Sequence, residues 1–365
     1  MTFSDELLNW YERSRRILPW REDPSPYHVW LSEIMLQQTR VEAVRGYYLR
    51  FIEKLPDIRS LAEASEDTYL KLWEGLGYYS RVRNLHRAAS VIMEEYGGEM
   101  PGSSTELMKL PGIGPYTAAA IASIAFGEEV PAVDGNLLRV FARLSGYKEN
   151  IRTPEAQKAA GMFYKERMPS KVPSKRSKAR DDQGGAHKSG NPCGNFNQAL
   201  MDLGATVCLP NSAPDCLRCP LAAFCRIHSE CPGEESSLPV RPDRKEKKTE
   251  YLTVFVIRSG GRTAVNKRPP RGLLAGLYEF PNAEGTLDAD EALRWLREHS
   301  VEPLRIMRAE DAEHVFTHKI WKMRGYEVDA DPFAEEKSPF IMAAREEILG
   351  KYSIPSAFGT YLKRI

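Results

Sequence analysis

The chain has 365 residues, enough for two or three domains that each bury a core. Its 51 Lys and Arg nearly balance 50 Asp and Glu, so affinity for nucleic acid has to come from local clusters, not from a global positive field. The opening MTFSDELLNWYERSRR has no apolar signal core, and no run approaches the roughly 18 apolar residues of a membrane span. These features exclude membrane classes and predict a soluble cytosolic protein.

Helical periodicity begins at residues 6–17, with Leu7, Leu8, Tyr11 and Ile17, and recurs at 29–41, with Trp30, Leu31, Ile34, Met35 and Val41. Further helices are predicted at 44–55, 66–74, 81–96, 116–126, 137–144 and 154–168, separated by short glycine-punctuated turns. With no strand pattern before residue 250, this half reads as an all-α bundle. Within it, the turn LPGIGPYT (110–117) opens a small-residue helix, and VPAVDGN (130–136) follows. A Gly-x-Gly turn at a helix N-terminus presents backbone N–H groups and the positive end of the helix dipole, which suits a phosphate. An ordinary helical corner with a solvated Asp134 fits those residues equally well.

Residues 169–191 turn polar and simple and predict a surface insertion. Its Lys171, Lys175, Arg176, Lys178, Arg180 and Lys188 offer sequence-independent phosphate attraction, or form a solvated loop without function. After a helix at 196–207 come five of the six cysteines, Cys208, Cys216, Cys219, Cys225 and Cys231, with Cys193 isolated upstream. So tight a group in a reducing compartment points to metal, and the spacing admits tetrahedral zinc or a [4Fe–4S] cluster. Residues 232–249 form a charged, Pro-rich linker. Beyond it, strand-type runs at 251–257, 263–267, 314–316 and 321–328 and a helix at 290–299 predict a separate α+β domain.

Five motifs, LPGIGPYT, VPAVDGN, the cysteine run after FNQALMDLGATVC, WLSEIMLQQTRV and GLGYYSRVRNL, together resemble the helix-hairpin-helix DNA glycosylase superfamily, and within it the adenine DNA glycosylases of the MutY type. The resemblance runs over most of residues 1–230. It implies an all-α helix-hairpin-helix glycosylase core with a [4Fe–4S] loop: a helical iron–sulfur domain from 1–27 and 137–231, carrying the 169–191 insertion, and a six-helix domain at 28–136. GLLAGLYEFP, at 272–281, resembles the family's Nudix-like module and assigns 250–365 to 8-oxoguanine recognition. The region DADEALRWLREHS lacks the REUxEExG carboxylates that hold magnesium in a working Nudix hydrolase, so recognition, not hydrolysis, is expected there.

The same resemblance implies a monofunctional enzyme of base excision repair that flips adenine out of duplex DNA, opposite 8-oxoguanine or G, and removes it with water. Cleavage needs a neutral acid and an anion. Glu33 matches the acid toward adenine N7, and apolar neighbours would raise its pKa; without the family it reads as a helix-surface charge. Asp134 matches the second carboxylate, and Asn136 a hydrogen-bonding neighbour. Tyr116 stands where bifunctional lyases carry a Schiff-base Lys. Trp20, Arg21 and Gln198 are implied at the adenine pocket. Gln38, Tyr78, Arg81, Gly112, Gly114 and Phe316-Thr317-His318 are implied at DNA or the lesion, with Thr where Ser is more usual.

Cys208, Cys216, Cys219 and Cys225 are the implied cluster ligands, although the first gap, LPNSAPD, is one residue longer than the family's, which leaves Cys231 as a conceivable substitute. The implied partner is duplex DNA bearing the mispair, met by a monomer at the nucleoid of a bacterial-type cytoplasm. Rival readings are an endonuclease-III-like glycosylase/lyase and a non-catalytic, metal-stabilised DNA-binding protein.

Overall fold

The computed structural model describes residues 1–170, 191–210, 212–240, 246–331 and 339–365. The six basic residues of the insertion lie outside them. Contacts divide the chain into two compact units, Met1–Glu63 with Asn84–Asp243 and Ala64–Arg83 with Arg244–Ile365.

The first unit is helical throughout its described residues. Helix α1 (Phe3–Ser14) starts earlier than its apolar stripe suggests because Thr2 caps it, accepting from the Asp5 N–H while the Asp5 carboxylate accepts from the Thr2 N–H. Pro19 starts a one-turn helix α2 (Pro19–Glu22) too short for periodicity to reveal. Helix α3 (Pro26–Leu36) is buried on every side from Val29 to Met35, a stretch that is apolar except for Ser32 and Glu33. Helix α4 (Val41–Lys54) and α5 (Ile58–Glu63) complete the first stretch of this unit.

In chain order, α6 (Glu66–Leu72) belongs to the second unit, and α7 (Ser80–Glu95) enters the first at Asn84. The turn between α8 (Ser104–Leu107) and α9 (Pro115–Phe126) is the predicted hairpin. Gly112 sits there at φ +78°, and a Cβ on it would lie 2.5 Å from the Asn84 Cβ, so only glycine fits. Gly114 precedes α9, which no side chain caps. α9 packs its alanine face on α3 and on α12 (Pro192–Thr206). Phe3, Leu7 and Tyr11 of α1 share one core with Leu137 and Phe141 of α10 (Gly135–Ser145), Tyr164 of α11 (Pro154–Lys165), and Phe196 and Leu200 of α12. Two 3₁₀ turns, Cys216–Arg218 and Ala222–Phe224, then lead into α13 (Arg226–Glu230).

The second unit is built on a mixed sheet whose main path runs β3-β2-β1-β6-β5. Its strands are β1 (Lys248–Ser259), β2 (Arg262–Lys267), β3 (Tyr278–Glu279), β5 (Pro303–Val315) and β6 (Lys319–Ala330). β4 (Asn282–Glu284) adds to β1 and β7 (Ile341–Ala343) to β2. β1 and β6 run parallel. Val254 and Val256 of β1 face a core closed by Ile348 of α15 (Arg345–Gly350) and Tyr361 of α16 (Gly359–Leu362). Phe255 and Ile257 face a second core with Ala292 and Leu296 of α14 (Ala289–Glu298). Burial on both faces explains the continuous apolar run that announces β1. β5 is longer than the predicted 314–316, because this charged, mostly exposed edge strand has no alternation to read.

Candidate active site

Glu33, Tyr116, Asp134, Asn136, Trp20, Arg21 and Gln198, together with Gln38, line one cavity of about 600 Å³ in the helical unit. α3 delivers Glu33 from its buried face, 6% exposed between Trp30, Leu31, Ile34 and Met35. From the first turn of α9, the Tyr116 hydroxyl donates to Glu33 Oε2 at 2.7 Å. Burial pushes Glu33 up to about 7, opposed by the Tyr116 hydrogen bond and the Arg21 charge and reinforced by the Asp134 charge. A carboxyl poised near neutrality can hold a proton and release it. Burial and the neighbouring carboxyls drive the Tyr116 phenol well above its ordinary value, so it stays a donor.

Asp134 caps α10. Its Oδ1 accepts from the N–H groups of Asn136 and Leu137 at 2.9 and 2.8 Å, and its Oδ2 from Asn136 Nδ2 at 3.1 Å. Burial raises its pKa, while these three donors favour the carboxylate. Asn136 is itself held, its Oδ1 accepting from Arg139 Nη1 at 3.0 Å. Arg139 also donates to the carbonyls of Gly204 and Cys208, tying the carboxylate's support to the cysteine loop. Neither Arg139 nor Asp202, which binds Arg21 through both carboxylate oxygens, stands out in the sequence. A buried Arg or Asp within an apolar-spaced helix has no local signature beyond its interruption of the buried face.

Cys208, Cys216, Cys219 and Cys225 line one pocket with Arg143, His228 and Glu235, and Cys231 is outside it. At the ends of the excursion between Cys208 and Cys216, the Asp215 N–H donates to the Val207 carbonyl at 3.0 Å. Arg143 Nη1 approaches Cys208 Sγ at 3.1 Å, a contact that suits a thiolate. Among the described residues the cysteines form no disulfide. Four convergent thiols with a cation beside them fit a metal or a metal–sulfur cluster. His228 and Glu235, 2.6 Å apart beside Cys216, are neighbours that sequence spacing did not suggest.

In the second unit, Tyr78 stands exposed at φ +47°, and its hydroxyl lies 2.6 Å from Thr317 Oγ1. Gln38, in the first unit, is the other non-glycine predicted contact at positive φ, +58°. A bulky residue in that region carries strain of about 1 kcal/mol or more, and Leu274 and Ser300 share it. Phe316 packs against Trp321 and His314, leaving Thr317 and His318 exposed. Gly112 and Gly114 are exposed at the hairpin. Arg81 differs from its expected place: it is buried, its guanidinium donating to the carbonyls of Leu76 and Gly77 and lying over Trp73 and Tyr78. It shapes the Tyr78 turn and is not an open phosphate contact.

A helical unit with a hairpin and a two-carboxyl cavity, in a chain that also carries a mixed-sheet unit, resembles a base-excision glycosylase with a Nudix-type domain. Residues 31–165 match the HhH-GPD superfamily of base excision DNA repair proteins, and residues 253–364 match the NUDIX domain. The chain is 34% identical over 376 residues to the adenine DNA glycosylase of Mus musculus, covering 87% of this chain and 68% of that one. With the adenine DNA glycosylase of Arabidopsis thaliana it shares 37% over 326 residues, 79% of this chain and 48% of that one, so it spans about half that relative's length. A solved thermostable thymine-DNA glycosylase superposes with TM-score 0.51 at 27% identity, over 63% of this chain and 96% of the other. The chain belongs to the adenine DNA glycosylase family. Among the described residues no helix is long and apolar enough to cross a membrane.

Proposed function

We propose that this protein removes adenine from duplex DNA by hydrolysis, acting on adenine opposite 8-oxoguanine or G. The observation that carries the reading is the pair of carboxyls in one cavity, with Glu33 buried and titrating near neutrality and Asp134 fixed by three N–H donors. Such a pair divides the work of glycosidic cleavage. Glu33 gives its proton to N7 of the extruded adenine, making the base a neutral leaving group, and the C1′–N9 electron pair leaves with the base. Tyr116 holds Glu33 in line through its hydroxyl. The Asp134 carboxylate stabilises the cationic sugar, and water adds at C1′ and loses a proton. Because a phenol forms no imine with C1′, the product is an intact abasic site.

The exposed hairpin glycines and the uncapped start of α9 would hold a DNA phosphate. Gln38 would wedge near the vacated stack; Tyr78 would insert beside the lesion of the opposite strand, which Phe316, Thr317 and His318 would read. Trp20, Arg21 and Gln198 would line the adenine. Cys208, Cys216, Cys219 and Cys225 would hold a [4Fe–4S] cluster, which when bound orders the 208–225 loop; iron and sulfide analysis of the purified protein separates this from zinc.

The test is single-turnover base release from duplexes carrying A opposite 8-oxoguanine, G or T. Release with the first two, and an Asp134→Asn protein that binds the mispair without releasing base, is the expected outcome. Turnover retained by Asp134→Asn would refute the assignment, and efficient borohydride trapping would replace it with a lyase.

A further inference from the structure

Two arginines that line the cavity, Arg16 and Arg21, share a buried carboxylate that the proposed chemistry does not use. Asp202, on α12 and only 1% exposed, accepts from Arg21 Nη1 and Nη2 at 2.8 and 2.9 Å. It also takes Arg16 Nε at 2.7 Å and the Arg16 backbone N–H at 3.1 Å. Arg21 Nη1 in turn donates to the Arg16 carbonyl at 3.2 Å. A buried carboxylate engaged this fully fixes both guanidinium groups in place and offsets part of their charge.

Glu33 is faced by Arg21 from α2, Tyr116 from α9 and Asp134 from the N-terminus of α10. Arg40, at the N-terminus of α4, reaches the cavity rim, where it is exposed. Arg16 and Arg21 line the cavity and share Asp202, which does not itself line it; Asp134 is backed by Arg139 and Arg40 stands at the rim, so Asp202 offsets the one cation, Arg21, that acts directly on Glu33.

We propose that Asp202 is a positioning and charge-balancing residue: by neutralising the Arg16–Arg21 pair it keeps the Glu33 carboxyl protonated and holds the Arg21 guanidinium at the cavity wall. Removing its charge leaves Arg21 beside Glu33 without its carboxylate partner, and an unoffset cation there favours the carboxylate form of Glu33. The inference rests on Glu33 being the proton donor, which a separate variant checks.

The experiment is the pH dependence of single-turnover base release from an A·8-oxoguanine duplex, with protein in excess. The wild type should lose rate through an alkaline limb that Glu33→Gln abolishes together with nearly all activity; a Glu33→Gln protein with wild-type rate overturns the proton-donor reading itself. Asp202→Asn keeps the size and part of the hydrogen bonding but loses the charge. Its alkaline limb should move down by about one pH unit, with the rate below that limb reduced less than at pH 8. The double variant Arg21→Gln/Asp202→Asn, which removes one charge of each sign, should move the limb back toward the wild-type position. A merely structural Asp202 would lower the rate equally at all pH values. An unmoved limb in a folded Asp202→Asn protein, or no return in the double variant, overturns the proposal while leaving the proton-donor reading intact.

Discussion

The Glu33–Tyr116 pair and the Tyr78–Thr317 pair each join a tyrosine hydroxyl to an oxygen partner at 2.6–2.7 Å, yet they sit in opposite environments. Glu33 is 6% exposed, whereas Tyr78 is 45% exposed. Burial changes what a hydrogen bond does. Around Glu33 the low-polarity wall makes protonation state the controlled variable, because each nearby dipole or charge moves the carboxyl's proton affinity. Around Tyr78, water competes for both hydroxyls, and the pair sets only where the ring stands. The first environment suits bond cleavage; the second suits reading a surface that arrives from solution.

This contrast can be broken most severely at Glu33. Replacement by Gln should cost at least about a thousandfold in single-turnover base release while mispair binding persists; comparable rates in both proteins would remove burial-tuned acidity from the account. The same substitution should change stability in the opposite sense. Native Glu33 keeps its proton to about pH 7, and the unfolded chain releases it near 4.5. Its contribution to stability is therefore full below pH 4.5 and lost as pH rises through 7. Glu33→Gln should match the wild type near pH 4.5 and exceed it at pH 8, by up to about 3 kcal/mol. Denaturant melts at the two pH values read this directly.

Tyr116→Phe removes a hydrogen bond that pulls the Glu33 pKa down. The alkaline limb of base release should then move up by about one pH unit as the maximal rate falls about tenfold; a limb moving down would show that the phenol acts otherwise. The smallest effect belongs to the exposed pair. Thr317→Ala should lower the preference for 8-oxoguanine over G opposite adenine by about three- to tenfold, leaving the A·G rate unchanged. An equal loss on both substrates would mean that the pair supports the fold and not the reading of the base.

Much of this was legible in the sequence, for identifiable reasons. Residues 29–35 are apolar except for Ser32 and Glu33, so by itself Glu33 reads as a surface charge; its burial was legible only through the family resemblance, and the structure places it among Trp30, Leu31, Ile34 and Met35. Asp134-Gly-Asn permits a cap, since an Asp beside a helix start can accept from the first N–H groups, and α10 is capped in this way. β1 announced itself through five consecutive buried positions, while β5 stayed hidden because an exposed edge strand rich in Arg and Glu has no period-two pattern to detect. Arg81 looked like an open basic group beside two tyrosines, and only the tertiary structure turns its guanidinium inward onto Leu76 and Gly77. Likewise, nothing local marks Ala64–Arg83 as a segment that packs with residues after Arg244. Lys71 reaches the Tyr352 carbonyl and Arg83 the Ala275 carbonyl, pairings separated by 281 and 192 positions that no short window spans.

The clasp between Asp215 and Val207 bears on how such centres are found at all. A search string that counts residues between the first two cysteines treats the loop as a ruler. Here the loop is a strap whose ends are buckled together, the Asp215 N–H donating to the Val207 carbonyl beside Cys208 and Cys216, which line one pocket. A pattern written on the ends of the strap, with its length left free, would keep this chain in view where a fixed count discards it.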